Sequence, residues 1–402
     1  MRKQTLVWLL PLLLLAGASE LTLLVFTGRA GYDWVVENCL GTGRLARHLT
    51  AAESAAENED WELAEEEYTA ALAESPESTE ALIGRGRTRV QLDKLDEAIQ
   101  DFTDAIALDD TDAEPLEWRG NAQARQTNYV AALRDFDAAV ALDRGADADG
   151  DTNDDKSTRS GNSSLYEHRA FVRAEQGDLK GAVADYTIAL KRTDGPDAGI
   201  AAARGFIYAR LGQPELALAD FDAAIAAEPG KGEYYTARAR VRANLRQWHA
   251  AIKDCDSALQ KDPAATEVIN LRGFLRTQLG EWSAALVDFR EAVRISPADA
   301  QSCNSLAWLQ ATAPADGVRD GSAAVPLAMR ACQNTQWRRA GLIDTLAAAH
   351  AEAGDFTKAV EYQRAALALT PAADSDHASM AARLKLYERR QPFRDAAARS
   401  RP

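Results

Sequence analysis

Residues 135–144 read DFDAAVALDR and residues 220–229 read DFDAAIAAEP, almost the same ten letters written 85 residues apart. Working outward from these two stretches, the same pattern recurs along the chain of 402 residues. YTAALAESP ends at Pro76, FTDAIALDD at Asp110, YTIALKRTD at Asp194, CDSALQKDP at Pro263 and FREAVRISP at Pro297. Two further units end at Gln336 and Pro371, which makes nine. Most steps are 34 or 35 residues, and the exceptions, one of 50 and one of 39, mark insertions. A fixed period of this size is the signature of a repeat architecture.

Small residues recur where two helices have to touch. Alanine holds one place in all nine units, from Ala64 to Ala359, and a second place seven residues later, from Ala71 to Ala366. An aromatic usually stands between them, as Tyr68, Phe102, Phe136, Tyr186, Phe221 and Phe289. Alanine, aromatic and alanine at i, i+4 and i+7 share one helical face. Earlier in the units Gly86, Gly120, Ala170, Gly205, Ala239, Gly273, Ala307 and Ala347 supply the small residue of a first helix. Small against small lets the two helices of a hairpin approach closely, so an all-α fold is expected.

These residues resemble the tetratricopeptide repeat family: a 34-residue frame, Gly or Ala at the eighth place, Ala at the twentieth and twenty-seventh, and frequent Pro at the thirty-second. The closing pair of units is similar to those of many bacterial members, with Ala313 where that pattern often has Cys before the Pro. The resemblance implies an α-α superhelical solenoid of about nine helical hairpins over residues 45–371, interrupted by an acidic insertion at 145–162. A capping helix and basic tail at 372–402 follow, and Arg383, Arg389, Arg390 and Arg394 read as a solvated face there. Two departures stand out: Cys255, Ala328 and Gln363 occupy the aromatic place, and the first unit opens atypically with LARHLTAAESAAEN (45–58).

Six consecutive units carry a second ladder. Arg85, Arg119, Arg169, Arg204, Arg238 and Arg272 hold the seventh place, and Asp101, Asp135, Asp185, Asp220, Asp254 and Asp288 hold the twenty-third. In an antiparallel hairpin these places lie at similar height. Interhelical ion pairs that specify packing are the expected role; a row of arginines reading a ligand is the alternative.

The resemblance implies a concave surface built from first helices, lined from the second, fifth, ninth, twelfth and thirteenth places, as solenoids present to their partners. Here the ninth place is Arg87, Asn121, Phe171, Phe206, Arg240 and Phe274, and the thirteenth includes Arg125, Arg210, Asn244 and Gln278. The peptide- or protein-binding candidates are therefore Arg87, Asn121, Phe171, Phe206, Arg210, Arg240, Asn244, Phe274 and Gln278. Phenylalanines flanked by Arg and Asn suit an extended or helical peptide with apolar anchors and some acidic character. The competing role for the rings is to fill contacts between hairpins. A clamp for a C-terminal carboxylate is not expected, because Glu117 stands where that pattern needs Lys.

A net charge of -15 argues against nucleic-acid binding, since no basic face is large enough to neutralise many phosphates. No nucleophile elbow, phosphate loop or zinc-ligand motif is present, so neither an enzyme, nor a cofactor, nor a small-molecule substrate is expected. Asp147, Asp149, Asp151, Asn153 and Asp155 alternate like calcium ligands, but Thr152 and Thr158 stand where an EF-hand loop needs Gly and Glu. His48, His168, His249, His350 and His377 are too dispersed for a metal site or a triad. Cys255 reads as an inert core thiol, while Cys303 and Cys332 fall at one end of one hairpin and form a possible disulfide in an exported chain.

The N-terminal stretch admits two readings. Arg2 and Lys3 precede an apolar run, TLVWLLPLLLLAGA, and LTLLVF resumes after Glu20. Residues 1–30 form either a single-pass membrane anchor or a cleavable signal, with a linker at 31–44. Either places the repeats outside the cytoplasmic membrane. The function expected is a non-catalytic interaction scaffold; a structural subunit of an envelope assembly, or a self-associating protein, is the alternative.

Overall fold

A computed structural model describes residues 42–148 and 163–395. Among the described residues there are nineteen α-helices and no strand. The expected anchor or signal at 1–30, most of the acidic insertion and the end of the tail lie outside the described residues. Among the described residues no helix is long and apolar enough to cross a membrane.

The chain forms two compact units that divide between Arg192 and Thr193. In the first, α1 (Thr42–Glu57) pairs with α2 (Trp61–Glu74), α3 (Thr79–Gln91) with α4 (Leu95–Leu108), α5 (Glu114–Arg125) with α6 (Tyr129–Ala148) and α7 (Ser163–Glu175) with α8 (Leu179–Arg192). In the second, α9 (Ala198–Arg210) pairs with α10 (Pro214–Ala227), α11 (Gly232–Asn244) with α12 (Trp248–Lys261) and α13 (Thr266–Gln278) with α14 (Trp282–Ile295). Hairpins α15 (Ala300–Thr312) with α16 (Gly321–Asn334) and α17 (Ala340–Glu352) with α18 (Phe356–Leu369) complete it, and α19 (Ser375–Glu388) caps α18. Within each unit the second helix of one hairpin also packs on the first helix of the next. This is an α-α solenoid arrangement of stacked hairpins.

Local chemistry sets the helix starts. Asp60, Ser78, Asp197, Asp299, Asp320 and Asp355 each accept a hydrogen bond from the third backbone N–H beyond them, which satisfies a donor the helix leaves unpaired. In eight of the nine hairpins the turn takes a left-handed residue. Gly177, Gly212, Gly280 and Gly354 supply it in four hairpins, whereas Glu59, Asp93, Thr127 and Arg246 adopt positive φ in others.

The recurring alanines are buried, and Phe102, Phe136 and Phe221 are fully so. Each ring lies on the small residue of the partner helix sixteen positions earlier. A Cβ added to Gly86 meets Phe102 Cε1 at 2.5 Å, one on Gly120 meets Phe136 at 2.8 Å and one on Gly273 meets Phe289 at 2.6 Å. Gly stands opposite Phe in all four such units, and Ala stands opposite Tyr186, Cys255 or Gln363. The departure at Gln363 has its own cause. Its buried amide donates to Asp344 Oδ1 at 2.7 Å and to the Met380 carbonyl at 3.1 Å, which joins α18 to α17 and α19. Gly86→Ala is expected to lower stability by about 1–3 kcal/mol through overpacking. Gly205→Ala, whose added methyl meets Phe221 at 3.2 Å, should cost less; urea unfolding of the two variants measures the difference.

Candidate functional site

The ladder residues come together in all six units. The distance from Nη2 to the carboxylate is 2.7 Å for Arg85 and Asp101, Arg119 and Asp135, Arg169 and Asp185, and Arg204 and Asp220; it is 2.6 Å for Arg238 and Asp254 and 2.8 Å for Arg272 and Asp288. Each Nε also donates to its Asp, giving the two-point fork that makes Arg–carboxylate pairs strong. The aspartates are buried.

Two features of the ladder escaped the sequence reading. A second arginine one turn on, at Arg89, Arg173, Arg242 and Arg276, reaches the same carboxylate at 2.7–2.8 Å. The free edge of the first arginine reaches back to the preceding hairpin: Arg169 Nη1 donates to Asp137, Arg238 Nη1 to Asp222 and Arg272 Nη1 to Asp256, at 2.9, 2.5 and 2.7 Å. Burial acts to lower the Arg238 pKa, and the carboxylates of Asp254 and Asp222 outweigh it, so the guanidinium is held more firmly charged than usual. The arginines are thereby consumed in structure. Asp254→Ala leaves two arginines without their buried partner and is expected to cost about 3–5 kcal/mol. Asp256→Ala, on a half-exposed side chain, should cost less than about 1 kcal/mol; thermal melts of the two variants make the comparison.

The groove candidates separate into groups. Arg240, Phe274 and Gln278 line one cavity of about 760 Å³ in the second unit, with Asn270, Asn304 and Trp308. Arg240 is exposed and paired with Glu267. Phe274 is about half exposed, at 48%. Asn270 Nδ2 donates to Ser302 Oγ at 2.7 Å, while the side-chain oxygens of Asn270 and Asn304 are buried and accept no hydrogen bond. Phe206, Arg210 and Asn244 are exposed in the same unit and do not line that cavity. The Phe206 ring stands edge-on to core Phe221 with centroids 5.1 Å apart.

In the first unit, Arg87 stacks over Trp118 and lines a smaller cavity of about 570 Å³ with Trp61 and Tyr68. Phe171 is half exposed, and Asn121 Nδ2 lies 3.3 Å from His168 Nε2. Glu117 accepts from Ser164 Oγ at 2.7 Å. The first unit therefore carries its own, separate set.

Asn270, Asn304, Trp308 and Asp395 were not foreseen. Asn270 and Asn304 stand at the fifth place and Trp308 at the ninth, so the repeat frame held the signal for three of them. Asp395 is brought to Trp308 from 87 residues away, and no repeat pattern contains that.

Two expectations need correction. Arg383 and Arg394 are not part of a solvated face: Arg383 forks onto Asp344 with Nε and Nη2 both at 2.8 Å, and Arg394 Nη1 lies 2.6 Å from Glu352. Arg389 and Arg390 are exposed. Cys303 and Cys332 share one core cluster, but both are free thiols, and Cys303 Sγ donates to the Pro297 carbonyl at 3.4 Å. Burial pushes the Cys332 thiol up to about 11 and that of Cys255 up to about 12, which removes thiolate reactivity at neutral pH. Among the described residues no His, Cys, Asp and Glu side chains group into a metal-binding set.

Stacked hairpins with a first-helix cavity define a class, the α-α repeat solenoids. The tetratricopeptide repeat model matches residues 49–115, 170–232 and 202–266. Among solved structures, the C-terminal part of a TPR repeat-containing protein from Cytophaga hutchinsonii shares the fold, with a TM-score of 0.50 and 15% identity over 64% of this chain and 99% of that one. A tetratricopeptide repeat protein from Parabacteroides merdae matches at 18% identity and TM-score 0.46, over 69% of this chain and 98% of that one. YrrB, described as a TPR protein with an unusual peptide-binding site, matches at 20% identity and TM-score 0.41, over 50% of this chain and 95% of that one. No curated protein matches the chain.

Proposed function

We propose that the chain is a tetratricopeptide repeat protein through all nine hairpins and serves as a non-catalytic scaffold that holds an extended segment of another protein. The observation that carries this reading is the cavity of about 760 Å³ in the second unit. Two buried amide oxygens, on Asn270 and Asn304, sit one repeat apart beside it without donors. Side-chain amides of Asn270, Asn304 and Gln278 line the cavity, and such groups accept hydrogen bonds from a ligand's N–H donors. An extended peptide carries such donors at regular intervals along its backbone. Phe274 and Trp308 add apolar contact for its side chains. A Phe206→Ala/Phe274→Ala double variant is expected to lose partner capture in pull-downs from the source cell while keeping helicity and melting temperature, because both rings are half exposed. A large fall in melting temperature would instead make the rings core.

We also propose that the repeats act outside the cytoplasmic membrane, tethered there by residues 1–30 or released after cleavage. Arg2 and Lys3 ahead of an apolar run of membrane-spanning length support this. A reporter active only beyond that membrane, fused to the end of the full chain, should be active. Silence of that fusion beside an active cytoplasmic reporter overturns the export reading.

A further inference from the structure

Residues 391–395, Gln-Pro-Phe-Arg-Asp, leave α19 without helical structure and lie along α15. The Asp395 backbone N–H donates to the Thr312 carbonyl at 2.8 Å, and Trp308 Nε1–H donates to Asp395 Oδ2 at 3.1 Å. The Phe393 ring stands 5.9 Å from that of Trp308, and the Arg383 guanidinium lies 5.5 Å from the Trp308 ring and 5.4 Å from that of Phe393. Asp395 is itself part of the cavity lining. One end of the cavity is therefore already lined by Asp395 of a short non-helical piece of this chain, whose Phe393, two residues earlier, packs on Trp308 and against the core of this unit.

We propose that residues 391–395 are a displaceable internal ligand, and that the partner enters this end of the cavity with the same chemistry, an aromatic side chain and, two residues on, an acidic one. The proposal rests on the peptide-binding reading of the cavity and adds to it the ligand class and its competitor. The segment is non-helical and its residues are partly exposed, the properties of parts of a protein that open locally ahead of the rest. Besides the Arg394–Glu352 pair at 2.6 Å, its contacts run through Phe393 and Asp395 and are those of an aromatic–x–acidic sequence. A partner reproducing them continues past Trp308 toward Asn304, Asn270 and Phe274, where residues 391–395 do not reach.

The test uses the full chain and a fluorescent synthetic peptide copying residues 389–395, RRQPFRD, amidated at its end. Anisotropy should show binding to the Phe393→Ala/Asp395→Ala variant about tenfold tighter than to the unaltered chain, whose site is largely occupied. Asp395→Ala alone, which leaves the Phe393 ring in place, should act in the same direction with a smaller shift. Replacing both Phe and Asp of the peptide by alanine should abolish binding. Equal affinity for the unaltered and variant chains overturns the proposal, as does failure of the peptide to bind the double variant. A large fall in the melting temperature of both variants does so as well, since it marks a core element. Loss of partner capture on changing Phe274 tests the cavity itself, so the two readings fail separately.

Discussion

The structure depends on how closely the two helices of a hairpin approach. Where the second helix carries Phe, the first must carry Gly, because even one methyl on Gly86 or Gly273 would enter the ring opposite. That contact fixes depth and register together. The ion pair of the ladder stands one residue earlier on each helix: Arg85 and Asp101 precede Gly86 and Phe102. An Arg–carboxylate fork tolerates little displacement, so it locks the register this packing sets, and it forms equally at Arg238 and Asp254, where Cys255 takes the ring's place.

The buried aspartate then makes the register hard to escape. A carboxylate without its guanidinium is far more costly in a core than an apolar group, so every slipped alignment of the hairpin is penalised. The arginine does a second task through its free edge, reaching a Thr or Asp on the previous hairpin, as Arg119 does to Thr103 and Arg272 to Asp256. Packing within a hairpin and stacking between hairpins thus share one side chain. Arginines so engaged have most of their donor edges committed within the solenoid.

The fold was legible in the sequence because it is written nine times, and the places that repeat are those where geometry permits only small or flat side chains. The site was less legible because exposed positions are not constrained by the repeat. Phe171, Phe206 and Phe274 share one place and similar exposure, yet only Phe274 lines the larger cavity. Trp308 held that same place in the next unit, where the longer spacing to α16 disguised the frame. Arg383 reads as a solvent-facing helix residue until α17 presents Asp344, a contact between residues 39 apart. Pairings of that range arise because α19 packs on α18 and brings Arg383 to α17.

The chemistry of the occupied end also restricts what can bind there. Trp308 has a single N–H donor, and Asp395 already accepts from it. A second carboxylate arriving beside Asp395 would find no donor on the indole and a like charge as its neighbour, which is unfavourable in a partly desolvated site. An acidic ligand must therefore exchange with Asp395 rather than join it. A ligand without an acidic group can fill the amide-lined part of the cavity and leave residues 391–395 in place. The same cavity would then distinguish two kinds of segment by whether residues 391–395 have to move.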